Sequence, residues 1–196
     1  TTRCRTLIME EMTLTETKET IHDNLDLIPF TDPRLATIPS DFDFEMESAE
    51  LLKDKLLEKM KDLGGVGLSA NQVGLDKKVF VIGDDGDFTK AFFNPEVIGC
   101  SEEVSSEKEG CLSFPGLWLM VERPTHVAIK YQDETGEEIV ETYQGVTARV
   151  IQHEYDHMIG MNFTQRVSRL KLERALKALE KKVKKYQRSN KTVADL

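Results

Sequence analysis

Five consecutive residues, His153-Glu154-Tyr155-Asp156-His157, have the types and spacing for metal-assisted hydrolysis. On a helix, histidines four positions apart project from one face, so both imidazoles can reach a single ion. Glu154 then stands beside a water on that ion, placed as a general base. The competing reading is a chance occurrence on a surface helix. Val146, Val150 and Ile151 weigh against it, because they give the segment an apolar side to pack inward. Two histidines leave a catalytic site short of its usual third protein ligand. An extended zinc-protease pattern would need a third histidine where Phe163 stands, so that reading fails. Another arrangement uses a glutamate further downstream, here Glu173 or Glu180. Both lie in a strongly basic stretch, where pairing with a Lys or Arg one turn away is the simpler role. Cys111, in Glu109-Gly110-Cys111-Leu112-Ser113, offers a thiolate suited to zinc or ferrous iron, and Gly110 admits a close backbone approach. A lone cysteine is more often a small core residue. Spacing leaves the third ligand open.

Gly65-Val66-Gly67-Leu68-Ser69-Ala70-Asn71-Gln72 is a second chemically suggestive stretch. It lacks the Lys-Ser/Thr ending of a phosphate loop, and no strand precedes it. Its small residues instead let a substrate backbone lie against the chain, with Gln72 as a neutral hydrogen-bond donor. Gly83-Asp84-Asp85-Gly86-Asp87 lacks the ligand spacing of a calcium loop and reads as an acidic turn.

The elements that must hold these residues follow from periodicity. Ala49, Leu52, Leu56, Met60 and Leu63 recur at helical spacing between Glu45 and Leu63, and Gly64-Gly65 supplies a stop. Short strands are expected at 79–82, 91–93 and 96–98, and a hairpin at 126–131 and 138–143 around Asp133–Gly136. Helical period returns from Thr147 to Ile159, closed by Gly160. A basic helix over about 168–188 carries the stripe Leu172, Leu176, Leu179, Val183 and Tyr186. The expected fold class is α+β: a single domain with mixed or antiparallel strands around a central metal-binding helix, and an amphipathic C-terminal helix. Residues 1–20 are expected to be flexible and 21–190 to form the domain.

With 196 residues, 39% hydrophobic and 31% charged, the composition excludes disorder and collagen-like repeats. No apolar run approaches the ~18–20 residues of a membrane helix, and the first dozen residues lack the apolar region of a secretory signal. Net charge is −9, unevenly spread: residues 165–196 carry about +8 and the rest about −17. Such an acidic body does not read as a nucleic-acid binder, whereas the basic tail is suited to touch an anionic partner. Three cysteines argue against a disulfide framework and for a reducing, cytoplasmic compartment.

Taken together, three segments resemble the signatures of the peptide deformylases, GxGxAAxQ, EGCLS and QHExDHLxG. Gly65–Gln72 matches with Ser69 in place of one Ala, Glu109–Ser113 matches unaltered, and Gln152–Gly160 matches with Met158-Ile159 in the third. Pro115-Gly116 and Val121–Pro124 resemble the bacterial and organelle-type branch, and the likeness runs from about Ile28 to Arg188. The resemblance implies removal of the formyl group from N-formylmethionine on new polypeptides. It implies Cys111, His153 and His157 as metal ligands, Glu154 as general base, and Gln72 with the Leu112 backbone N–H as oxyanion donors. Ferrous iron is the implied metal, with zinc, nickel or cobalt as other occupants. The peptide is expected along Val66, Gly67 and Gly110, and its methionine side chain near Val146, Arg149 and Val150. Glu109 and Arg123 are expected to pair beside the site. The basic helix has two readings: an amphipathic helix that docks its Leu stripe and leaves its basic side solvated, or, by the same resemblance, a helix that docks on ribosomal RNA. Apart from the resemblance, the chain is expected to act as a monomer.

Overall fold

The computed structural model describes residues 25–84, 86 and 88–194; the segment expected to be flexible, 1–20, lies outside them. Among the described residues, β1 (Gly67–Ser69), β2 (Val79–Gly83), β3 (Thr89–Cys100), β6 (His126–Gln132) and β7 (Glu138–Gln144) form one antiparallel sheet in the order β1-β2-β3-β6-β7. The strands β4 (Val104–Glu109) and β5 (Leu119–Pro124) pair with each other as a separate two-stranded sheet.

Alternation along β2 explains the layering. Val79 and Val81 join Leu52, Leu56 and Met60 of α1 (Ala49–Asp62), whereas Phe80 and Ile82 join Ala148, Ile151 and Met158 of α2 (Gly145–Met158). A strand covered on both faces must be apolar throughout, as β2 is. The helix α1 starts at Ser48, whose hydroxyl accepts from the Leu51 N–H, and stops where Gly64 takes φ +65°. At the end of α2, Gly160 sits at φ +69°, and a Cβ there would lie 3.0 Å from the Ala36 carbonyl.

The two runs expected at 91–93 and 96–98 are one strand, β3, with register shifts between them. Asn94 takes φ 49° at the break. Its side chain accepts from the Phe42 N–H at 2.6 Å and donates to Gln132 Oε1 at 2.9 Å, which holds the irregularity in place. Sequence reasoning did not anticipate β4 and β5. Val-Ser-Ser-Glu-Lys-Glu has no apolar alternation, and it pairs through its backbone while Leu119 and Val121 of β5 supply the inward side. The acidic turn falls between β2 and β3, where Gly86 N–H bonds to the Asp84 carboxylate.

The C-terminal helix α3 (Arg169–Ala194) packs through Leu172, Ala175 and Leu179 against Phe114, Leu117, Val121 and Phe163. The expected stripe holds only over this first part. Val183 and Tyr186 are exposed beyond the packed stretch, and within it Leu176 is exposed while its neighbour Ala175 takes the inward position.

Candidate functional site

The helix α2 carries an apolar face into the sheet and, on its other side, a row of buried polar residues: Arg149, Gln152, His153, Glu154, Asp156 and His157. Burial of so many ionisable groups requires partners. The main partner comes from the end of β4, where Glu109 is almost fully enclosed. Its Oε1 accepts from Arg123 Nε (2.7 Å) and Arg149 Nη1 (2.6 Å); its Oε2 accepts from Arg123 Nη2 (2.9 Å) and contacts His153 Nδ1 at 3.1 Å. Arg123 reaches on to Asp156 at 3.0 Å, which Arg166 pairs from the far side. With Nδ1 engaged, His153 presents its other nitrogen to the cleft.

One residue after Gly110, the Cys111 sulfur lies 3.5 Å from His157 Nε2. The donor atoms of Cys111, His153 and His157 all fall within 4.8 Å of one another. Metal bonds of about 2.0–2.3 Å in a tetrahedral site set ligand atoms about 3.3–3.8 Å apart, so a small inward adjustment closes three corners. The electrostatics favour a cation there. Burial alone would lower His153, but hydrogen bonds to Cys111 and Glu109 and the nearby acidic charges raise it to about 10. Burial holds His157 down at about 3, neutral and ready to act as a ligand. A thiolate with two imidazoles therefore fits zinc or ferrous iron.

Glu154 is buried beside these ligands, and burial raises its carboxyl above the ordinary range. It lies against β1, where a Cβ on Gly67 would stand 2.5 Å from its Oε1. Gly67→Ala must therefore displace the carboxylate or the strand, and kcat is expected to fall about 100-fold. Steady-state kinetics on the formylated peptide that the resemblance implies check this. Gln72 accepts from the Ser69 N–H at 2.9 Å and directs its Nε2 to Cys111 Sγ (3.3 Å) and Ser113 Oγ (3.0 Å).

A cleft of about 540 Å³ opens over this centre. Val66, Gly67, Gly110, Leu112, Val146 and Val150 line it, as do Gln72, Cys111, Arg149, His153 and Glu154; His157 lies beneath it, fully buried. Arg149 borders the cleft, but its guanidinium is tied to Glu109, the Val121 carbonyl and Ser105, so it straps α2 to the small sheet. Phe163, in the place of the absent third histidine, packs against the His153 ring at 5.6 Å. Glu173 and Glu180 pair with Arg169 and Lys184 on the surface of α3, as the simpler reading required. Sequence reasoning missed Asp156 as the anchor of Arg123, and Asn71, whose amide donates to the His157 carbonyl at 3.0 Å. It also missed Trp118, whose ring covers Gly110. The carboxylate inside His-Glu-Tyr-Asp-His was the one available signal.

Burial alone would push the Glu109 carboxyl up, but hydrogen bonds from His153 and Arg123 and the Arg123 charge hold it at about 2. Its share of stability is thus complete above 4.5 and is lost as pH falls through about 2. Glu109→Gln leaves buried guanidinium groups short of their carboxylate. It is expected to cost about 3–5 kcal/mol in urea unfolding and about 10–100-fold in metal affinity.

Residues 25–173 match the family described as polypeptide deformylase. A peptide deformylase of Cellvibrio japonicus is 40% identical over 162 residues, covering 82% of this chain and 96% of that protein. The structure of a plant peptide deformylase superposes with a TM-score of 0.76 at 33% identity, over 87% of this chain and 95% of that one. A Met-Ala-Ser-bound peptide deformylase of Acinetobacter baumannii superposes at 0.69 with 29% identity, over 73% and 98%.

Proposed function

This chain belongs to the polypeptide deformylase family and removes the N-formyl group from nascent peptides, and from that premise we propose which of its residues perform each step. Cys111, His153 and His157 would hold a divalent ion, which would supply Lewis acidity and bring the ionisation of a water towards neutrality. Glu154 takes the proton of the attacking water and delivers it to the departing amine. Gln72 Nε2 and the Leu112 backbone N–H meet the oxyanion that develops on the formyl oxygen. The observation that carries this reading is the placement of Glu154 in the cleft that opens over three metal-binding atoms within 4.8 Å of one another, with Cys111 and His153 on its wall and His157 beneath.

The finer assignments are ours as well. The peptide lies along Val66 and Gly67 at the edge of the large sheet and pairs as an added strand, with Gly110 facing it. A methionine side chain enters beside Val146 and Val150, with the stem of Arg149 at its border. The Met-Ala-Ser carried by the Acinetobacter baumannii relative supports a substrate of this kind. Ferrous iron is the metal we favour, since the thiolate suits it, with zinc, nickel or cobalt as substitutes. Oxygen sensitivity of such a centre favours a reducing cytoplasm. Among the described residues no helix is long and apolar enough to cross a membrane. The basic side of α3 is our choice for contact with ribosomal RNA, and the chain acts as a monomer over a single domain spanning 21–190.

Turnover of formyl-Met-Ala-Ser, formyl-Glu-Ala-Ser and acetyl-Met-Ala-Ser tests the substrate assignment. Preference for the first by at least about 100-fold over each of the others is expected, because an apolar pocket rejects a charge and a formyl site rejects an added methyl. Equal turnover of all three would refute it.

A further inference from the structure

The residue of the Gly-rich segment that departs from the deformylase signature, Ser69, is fully buried, and its hydroxyl lies 2.6 Å from Glu154 Oε2. The contact spans 85 positions in sequence and joins β1 to α2. We propose that Ser69 is a positioning residue that fixes the Glu154 carboxylate for proton transfer. The inference rests on the assignment of Glu154 as general base given above.

Three observations converge on it. First, Ser69 belongs to β1, whose backbone is registered against β2 through the pairs Gly67↔Ile82, Leu68↔Val81 and Ser69↔Phe80, so the hydroxyl is carried on a fixed strand. Second, the same residue donates its N–H to Gln72 Oε1 at 2.9 Å, which turns Gln72 Nε2 towards Cys111. Ser69 thus sets the base with its side chain and the oxyanion donor with its backbone. Third, the two carboxylate oxygens are inequivalent. Oε2 accepts the hydroxyl, while Oε1 lies over Gly67, where no Cβ intervenes, in a residue that borders the cleft. A carboxylate with one oxygen engaged presents the other to the reacting proton and cannot turn away between turnovers. An alanine at this position would leave the glutamate held by packing alone.

The test uses the full chain loaded with metal. In Ser69→Ala, kcat on formyl-Met-Ala-Ser should fall on the order of 10-fold, as for a lost hydrogen bond to a charged group. KM and bound metal should stay unchanged, and Ser69→Thr, which keeps the hydroxyl, should restore kcat. The decisive comparison repeats Ser69→Ala in a Glu154→Asp background, where the shorter side chain withdraws the carboxylate from Ser69. There the loss should shrink to within about twofold. A merely structural serine would give the same fold-loss in both backgrounds, and that result would overturn the proposal, as would an unchanged kcat in Ser69→Ala. Should Ser69→Thr not fold, the Ala cycle decides alone. An unaltered chain that releases no formate rejects the underlying assignment and the proposal with it, and this is seen before any substitution is made.

Discussion

Replacing Glu154 with Gln is expected to lower kcat by about 10²–10⁴-fold while the chain keeps its metal ion and its fold. The amide has the shape of the carboxylate and can still accept the Ser69 hydroxyl, so packing between β1 and α2 survives. What it lacks is a site for the proton that leaves water and later joins the amine. Among the described residues, the neighbouring carboxylates Glu109 and Asp156 cannot substitute, since both are committed to arginines. KM should change little, because Val66, Gly67 and Gly110 are untouched. Metal content measured alongside kinetics separates loss of the base from loss of the ion. Unchanged turnover would move the base elsewhere, and it would favour a metal-stabilised adaptor in which the cleft performs no chemistry.

Cys111→Ala should have the second-largest effect. Loss of a residue that merely orients a ligand costs about 10–100-fold in metal affinity, so removal of a ligand itself should cost more than 100-fold and take activity with it. The Cys111 sulfur also lies 3.5 Å from His157 Nε2, and it is the one sulfur ligand of the set. A zinc endopeptidase using His153, His157 and Glu154 would need its third ligand elsewhere. Glu173 and Glu180 sit exposed on α3, each paired with a basic neighbour one turn away, and neither belongs to the cleft. Retention of both metal and turnover in Cys111→Ala, by elemental analysis and assay, would nevertheless reinstate that rival.

The parts legible in the sequence are those whose signal is local. The i, i+4 histidines announced a helix and a shared ligand direction, and the Gly64 stop fixed the end of α1, which begins at Ala49 after the Ser48 cap and not at Glu45. The hairpin β6–β7 followed from alternation around Asp133–Gly136. What stayed hidden depends on groups distant in the chain. β4 is polar along its length and is recognisable only by the pairing that β5 offers and by the Arg149 strap onto the Ser105 carbonyl. Cys111 was one of several possible third ligands until the fold brought it to His157, 46 positions away. Ser69 looked like a small substitution in a glycine-rich stretch; only the crossing of β1 and α2 turns its hydroxyl onto the base. The stripe of α3 erred in the opposite direction, because helical periodicity continues past Leu179 while the surface beneath it does not.

The most direct test of the central claim is anaerobic purification of the chain with ferrous iron, followed by measurement of formate and free amine from formyl-Met-Ala-Ser. Equal amounts of both are expected, with turnover lost in Glu154→Gln and in Cys111→Ala, the former still holding iron. A chain with one iron per molecule that releases neither product would contradict it.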